Sequence, residues 1–198
     1  MRERKSRLYR KYIKRVIDFV LSLILCVLLL LPMLLIATAI RIDSEGGAIF
    51  KQTRRGYGGR KFTCYKFRTM YKDAPRGVPA SEFKDYGRYV TRVGNFLRRT
   101  GFDELPQLYN VVKGDMSLVG PRPLIPEEEN MHRGREQSGV YDLRPGITGM
   151  AQVCGRNKLS DAQKIERDVY YMNNMRFLLD ARIAITTFTT VIKSNKAE

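Results

Sequence analysis

The chain has 198 residues, and its 36 lysines and arginines against 20 aspartates and glutamates leave a formal net charge of +16 at pH 7. This length suits one compact domain with a small appendage, and the basic surplus points to an anionic partner: nucleic acid, acidic lipid or a phosphorylated substrate. The three cysteines, Cys26, Cys64 and Cys154, are isolated and form no CxxC pair, which speaks against a zinc site or disulfide framework and for a reducing compartment. His132, the single histidine, has no nucleophile elbow to serve in a Ser-His-Asp triad, and no internal repeat or low-complexity segment is found.

The first element is an uncharged run from Phe19 to Ile40, "FVLSLILCVLLLLPMLLIATAI". About 22 residues at 1.5 Å each make roughly 33 Å of helix, enough to cross a bilayer core. The run is too long for an ordinary signal-peptide core and lacks a cleavage pattern. Basic residues crowd both flanks: Arg2, Arg4, Lys5, Arg7, Arg10, Lys11, Lys14 and Arg15 before it, Arg41, Lys51, Arg54, Arg55, Arg60 and Lys61 after it. The positive-inside rule asks for both flanks on the cytoplasmic face, which a straight span cannot provide and a re-entrant helix can. Pro32 supplies a kink, and the carbonyl it frees near residue 28 needs a partner, Ser22 or a group outside the segment. These residues alone leave re-entry and crossing both open.

Beyond residue 41 the sequence reads as mixed α/β. "AIFKQTR" and "KFTCYKFRTM" are β-prone runs joined by "RGYGGR", a hairpin pattern. "DELPQLYNVVKGD" sets Leu105, Leu108, Tyr109 and Val112 at i, i+3, i+4 and i+7, one apolar helical face stopped by Gly114. Pro106 belongs in a first turn, which places Asp103 and Glu104 at the helix start. "LSDAQKIERDVYYMNNM" opens with the capping box Ser160-x-x-Gln163 and carries Ile165, Val169 and Met172 on one face. "FLLDARIAITTFTTVIK" is apolar and Thr-rich, broken by Asp180 and Arg182, and predicts an amphipathic or packed helix rather than a second span. Amphipathic, basic elements beside a membrane segment predict contact with anionic lipid, each Lys or Arg near such a surface contributing about 1 kcal/mol.

Chemistry concentrates in "RRTGFDELPQLYNVVKGDMSLVGPRP", residues 98–123. Adjacent acids at a helix start can be a simple cap. Arg98, Arg99 and Arg122 nearby add what phosphate chemistry requires: a carboxylate to attack or hold Mg²⁺, guanidinium groups to clamp oxygens, and backbone N–H groups at a helix start. A carboxylate nucleophile forming an acyl phosphate is established chemistry.

With "YKFRTM" (65–70) before it and "LRPGITGMAQVCGRN" (143–157) after it, this stretch resembles the bacterial sugar transferases, and among them the small monotopic phosphoglycosyl transferases. The resemblance covers essentially the whole chain, with the motifs in order. It implies transfer of a sugar 1-phosphate from a UDP-sugar to undecaprenyl phosphate with release of UMP, the first membrane step of O-antigen, capsule, exopolysaccharide or glycoprotein assembly. By resemblance Asp103 is the nucleophile of a ping-pong route and Glu104 holds Mg²⁺. Arg98, or its neighbour Arg99, and Arg122 bind phosphate oxygens, Arg144 and the Gly155-Arg156-Asn157 corner shape the nucleotide or sugar pocket, and Lys66 is a further candidate.

The family also implies a re-entrant helix broken at Ser-Pro, with both termini on the cytoplasmic face of the inner membrane; here Leu31 replaces the serine. Larger relatives carry extra membrane helices for which this chain has no room. The expected fold is therefore α/β mixed, mostly helical with a short β-hairpin. Residues 1–41 form the basic N-terminus and re-entrant helix, and 42–198 a small cytosolic catalytic domain ringed by amphipathic interfacial helices. The alternative is a membrane-tethered basic protein that binds nucleic acid or lipid without catalysis. No nucleic-acid-binding motif supports it and the basic residues are not striped, so no nucleic-acid partner is expected. A silent scaffold is the remaining rival, and the intact acid pair with its arginines argues against it.

Overall fold

The computed structural model describes residues 8–75, 86–155 and 158–194. A π-helical turn, Tyr9–Ile13, leads into α1 (Lys14–Leu28) and then α2 (Leu30–Asp43). The two helices are bent by 61° about Leu29, which leaves helical geometry at φ −94°, ψ 5°. Pro32 explains the position of the break. It sits in the first turn of α2, where a missing N–H costs no helical bond, and its ring opposes the carbonyl four residues back, that of Leu28, where α1 ends. No single described helix is long and apolar enough to cross a membrane; this bent pair is, by length and composition. Ser22 does not take the role expected of it. Its side chain is buried, yet the hydroxyl makes no hydrogen bond among the described residues.

The end of α2 is held by the buried Arg68, which donates from Nη2 to the carbonyl of Ser44 at 2.8 Å and from Nη1 to that of Glu45. Strands β1 (Ile49–Arg55) and β2 (Lys61–Phe67) pair antiparallel, with Ile49 opposite Phe67 and Arg55 opposite Lys61. This is the expected hairpin; its turn needs glycine, since Gly58 and Gly59 both have positive φ.

After the short α3 (Tyr86–Tyr89), α4 (Arg92–Thr100) is capped by the Thr91 hydroxyl, which accepts from the Gly94 N–H, and ends on the left-handed Gly101. A 3₁₀ turn, Phe102–Glu104, then leads through Pro106 into α5 (Gln107–Lys113), which Gly114 stops at φ 101°. The acids thus lie in the turn before the helix rather than in it. The buried face of α5 also differs from expectation. Gln107, Leu108, Asn110 and Val111 are buried, whereas Tyr109 is exposed and meets the ring of Tyr65 edge-on at 5.6 Å. A helix covered by both a hairpin and α1 buries a wider arc than one amphipathic stripe.

A second sheet was not expected. β3 (Ser117–Val119) and β4 (Gly146–Thr148) pair in parallel, with Ser117 opposite Gly146 and Val119 opposite Thr148. The fold is therefore mostly helical with two two-stranded sheets. Between β3 and β4 lies α6 (Glu129–Gln137), and after them come α7 (Met150–Cys154), α8 (Asp161–Asn174) and α9 (Phe177–Ser194). The capping box at Ser160 and Gln163 forms as expected. Ile165, Val169 and Met172 are half-buried, while Asp168 and Tyr171 are the buried positions of α8.

The main apolar cluster joins both ends of the described chain: Tyr9 with Val119, Leu143, Tyr171, Met175, Leu179 and Ile183. A second joins Ile40 of α2 to Phe67 and Leu97. Helix α1 docks beside α5 and β3, with Arg15 donating to the carbonyls of Val111 and Val112 at 2.8 and 3.3 Å and Asp18 accepting from the Ser117 hydroxyl at 2.6 Å.

Candidate active site

Three elements converge on the acid pair. The turn after α4 carries Asp103 and Glu104, both half-buried. Strand β2 contributes Lys66, whose Nζ lies 2.6 Å from Glu104 Oε1. The loop after β3 contributes Arg122, whose Nη1 lies 3.6 Å from the same oxygen. From α4, Arg98 turns inward and donates from Nε to the Thr69 hydroxyl at 2.7 Å, while Arg99 is exposed. Lys66, a further candidate by resemblance, thus lies closer to Glu104 than Arg122 does.

The electrostatics follow from this arrangement. Burial pushes the Asp103 carboxyl above the ordinary aspartate range, and adjacent Glu104 adds to the rise; Lys66, then Arg98 and Arg122, pull it back. Burial lowers the Arg98 guanidinium, opposed by Asp103. Behind Arg122, Arg54 is lowered by burial and by repulsion from Arg122 itself. The site thus has excess positive charge around two carboxylates. Two of the backbone donors at this helix start are engaged within the turn, Glu104 N–H with the Gly101 carbonyl and Leu105 N–H with the Phe102 carbonyl.

Among the described residues no group of three His, Cys, Asp or Glu side chains could enclose a metal ion. Two neighbouring carboxylates suit a hard cation that completes its shell with substrate oxygens and water, which is how Mg²⁺ is ordinarily held.

The remaining candidates lie elsewhere. Arg144 is exposed at the far end of α5, where Nε donates to the Gly114 carbonyl at 3.0 Å and the guanidinium stacks 5.3 Å over the Tyr57 ring. The structure does not bring it to the acid pair. Position 156, the expected Arg156, lies outside the described residues with its neighbour Asn157. His132 is buried: Nε2 lies 2.9 Å from the Ile125 carbonyl and Nδ1 contacts the Tyr141 hydroxyl. The three cysteines are free, and Cys64 packs in the core with Val111 and Met116.

Sequence reasoning passed over Thr69, Arg54 and Arg135. Thr69 stands in the quoted "YKFRTM" and was within reach of that motif. Arg54 and Arg135 act only through the tertiary fold: Arg54 Nη1 donates to the Pro123 carbonyl at 2.8 Å and Arg135 Nη1 to the Arg122 carbonyl at 2.7 Å.

Comparison with known proteins agrees with the family resemblance. The profile of the bacterial sugar transferase family matches residues 9–194. The chain is 39% identical over 193 residues to the UDP-glucose:undecaprenyl-phosphate glucose-1-phosphate transferase of Caulobacter vibrioides, covering 93% of this chain and 71% of that protein. It is 38% identical to the uncharacterized sugar transferase EpsL of Bacillus subtilis, over 92% of this chain and 88% of that one. It is 34% identical to the undecaprenyl-phosphate galactose phosphotransferase of Salmonella typhimurium, covering 94% of this chain and 42% of that protein. The protein is an enzyme, a transferase belonging to the bacterial sugar transferase family.

Proposed function

We propose that the chain transfers a sugar 1-phosphate from a UDP-sugar to undecaprenyl phosphate, with Asp103 as the nucleophile. The observation that supports this most directly is the convergence of Lys66, Arg98 and Arg122 on two adjacent carboxylates. An Asp103 oxygen attacks the sugar-bearing phosphorus, and the P–O bond to the UMP phosphate breaks. UMP leaves with the bridging oxygen, and the sugar phosphate stays on Asp103 as an acyl phosphate. An oxygen of undecaprenyl phosphate then attacks the same phosphorus, restoring the carboxylate and giving the polyprenyl diphosphate sugar. Lys66, Arg98 and Arg122 orient the diphosphate and offset its charge as it redistributes.

Glu104, with the substrate phosphates and water, would hold Mg²⁺, which when bound neutralises charge on the diphosphate. The α1–α2 pair is read as a re-entrant hairpin that keeps both termini at the cytoplasmic face of the inner membrane, beside anionic lipid. The bend at Leu29 and the basic residues on both flanks support that reading.

The test is UMP release across a panel of UDP-sugars with polyprenyl phosphate and detergent-solubilised enzyme. Asp103→Asn is expected to lower turnover by about 10³-fold or more. The wild type, given a UDP-sugar without acceptor, is expected to gain the mass of one sugar phosphate. Near-normal turnover in Asp103→Asn would overturn the covalent route.

A further inference from the structure

The segment 120–125 that carries Arg122 has no regular secondary structure, and two of its residues, Pro121 and Pro123, have no N–H to donate. Its end residues donate, Gly120 N–H to the Thr148 carbonyl and Ile125 N–H to Glu128 Oε2, both at 2.8 Å, and between them it is held by its acceptors. The Pro121 carbonyl accepts from the Gly146 N–H at 2.9 Å, and the Leu124 carbonyl from the Arg55 N–H at 3.0 Å. Between them, the Arg122 carbonyl accepts from Arg135 Nη1 at 2.7 Å and the Pro123 carbonyl from Arg54 Nη1 at 2.8 Å. The Ile125 carbonyl lies 2.9 Å from His132 Nε2. Every carbonyl from 121 to 125 is thus occupied.

The side chains of this segment divide sharply. Pro121, Pro123, Leu124 and Ile125 are buried, and Arg122 alone is exposed, turned toward Glu104. At 3.6 Å from Glu104, the Arg122 guanidinium is not fixed by a close ion pair. Its location depends on where the backbone of residue 122 is pinned. The pin, Arg135, is itself oriented from behind: Nη2 donates to Asp168 Oδ2 of α8 at 2.7 Å, with both side chains almost fully buried. One guanidinium bridges a buried carboxylate and the backbone of a site residue, and its planar fork allows both bonds at once.

We propose that Arg135, oriented by Asp168 and assisted by Arg54 on the next carbonyl, is a positioning residue that sets the Arg122 guanidinium over the acid pair. The inference rests on the proposed function for what Arg122 binds, but not for the clamp. Arg135→Lys keeps the charge opposite Asp168 yet offers one ammonium in place of a fork, so the tie to residue 122 is lost.

The experiment is a double-mutant cycle with Arg122→Ala, read as kcat/KM for UMP release. Arg135→Lys is expected to cost about 10-fold in the wild-type background, as for displaced substrate-positioning groups, and under about 2-fold in Arg122→Ala. Losses that multiply, or wild-type turnover in Arg135→Lys, would overturn the proposal. Hydrogen exchange on the full chain gives a readout independent of substrate. The amides of Gly146 and Arg55, which donate to the Pro121 and Leu124 carbonyls on either side of the clamp, are expected to exchange faster in Arg135→Lys while the other amides of β1 and β2 keep wild-type protection. Unchanged exchange at 146 and 55 overturns the clamp, even if the wild type turns over no UDP-sugar and the functional reading fails. Should Arg135→Lys not fold, Arg54→Lys, which releases the Pro123 carbonyl, takes both measurements with the same outcomes.

Discussion

At the level of single residues, the site is a balance between burial and charge at Asp103. In the proposed route the attacking form is the carboxylate, and burial together with Glu104 disfavours it, while Lys66 is the strongest of the three cations that restore it. Turnover therefore falls as pH drops through an Asp103 pKa lying above the ordinary aspartate range. Removing Lys66 removes the largest downward influence, so in Lys66→Met the acid limb of the kcat/KM–pH profile is expected to move to higher pH. The plateau should fall as well, because Lys66 no longer meets substrate oxygens. A limb at unchanged pH would mean that the 2.6 Å contact of Lys66 with Glu104 leaves Asp103 untouched.

At the level of elements, the site depends on how closely α4 approaches the end of β2. Gly94 lies against the backbone of Thr69, where an added Cβ would fall 2.1 Å from the Thr69 carbonyl oxygen and 2.7 Å from its Cα. Neither atom is a flexible side-chain end, so Gly94→Ala is expected to push α4 away and cost about 1–3 kcal/mol, read as a lower Tm. Arg98 rides on α4 and is tied to Thr69 at 2.7 Å. Activity should thus fall together with stability; full turnover at reduced Tm would show that Arg98 tolerates displacement. A second prediction concerns the bend. Pro32→Ala restores an N–H and removes the ring that opposes the Leu28 carbonyl. The re-entrant reading then expects α1 and α2 to straighten in a fraction of molecules, measured as accessibility of a cysteine at position 2 from the far side of the membrane. An N-terminus inaccessible in both proteins would show that Leu29 bends without the proline.

Local signals were the legible ones at this scale. Gly58 and Gly59 made the hairpin, Ser160 and Gln163 the cap, Gly114 the stop and Pro32 the break, each needing only its near neighbours. Strands β3 and β4 have three residues each, too short for a period to show, and pair only because the chain returns after α6. The acid pair and its arginines were reached through the charge chemistry of their stretch, and their separate roles through the family resemblance. Arg144 entered through the resemblance alone, as part of a nucleotide or sugar pocket, and it lies at the other end of α5. Arg54 finds its acceptor 69 positions away and Arg135 its carboxylate 33 positions away, and no local pattern marks such a pairing.

Across the whole molecule, a buried carboxylate ties the start of the described chain to its last described helix. Asp180 of α9 accepts from the Tyr9 hydroxyl at 2.7 Å, from Lys14 Nζ at 2.7 Å and from the Tyr171 hydroxyl at 2.6 Å. The sequence presented Asp180 as a polar break in an apolar helix; the fold makes it the point where the first and last helices meet. Lys14 also lies 3.7 Å from Asp18, which reaches the Ser117 hydroxyl and the Leu118 N–H. Lys14 thus has two carboxylates within ion-pairing distance in a buried setting, and losing either leaves the other. Asp18→Asn and Asp180→Asn should each be partly sheltered in this way. The double variant leaves a buried ammonium with neither carboxylate, a situation that costs about 3–5 kcal/mol when a buried ion pair is broken. Chemical denaturation is therefore expected to show a combined loss larger than the sum of the two single losses. Strict additivity would mean that Lys14 escapes to solvent when unpaired, and that the apolar clusters and the Arg15 bonds to the Val111 and Val112 carbonyls hold the first helix in place.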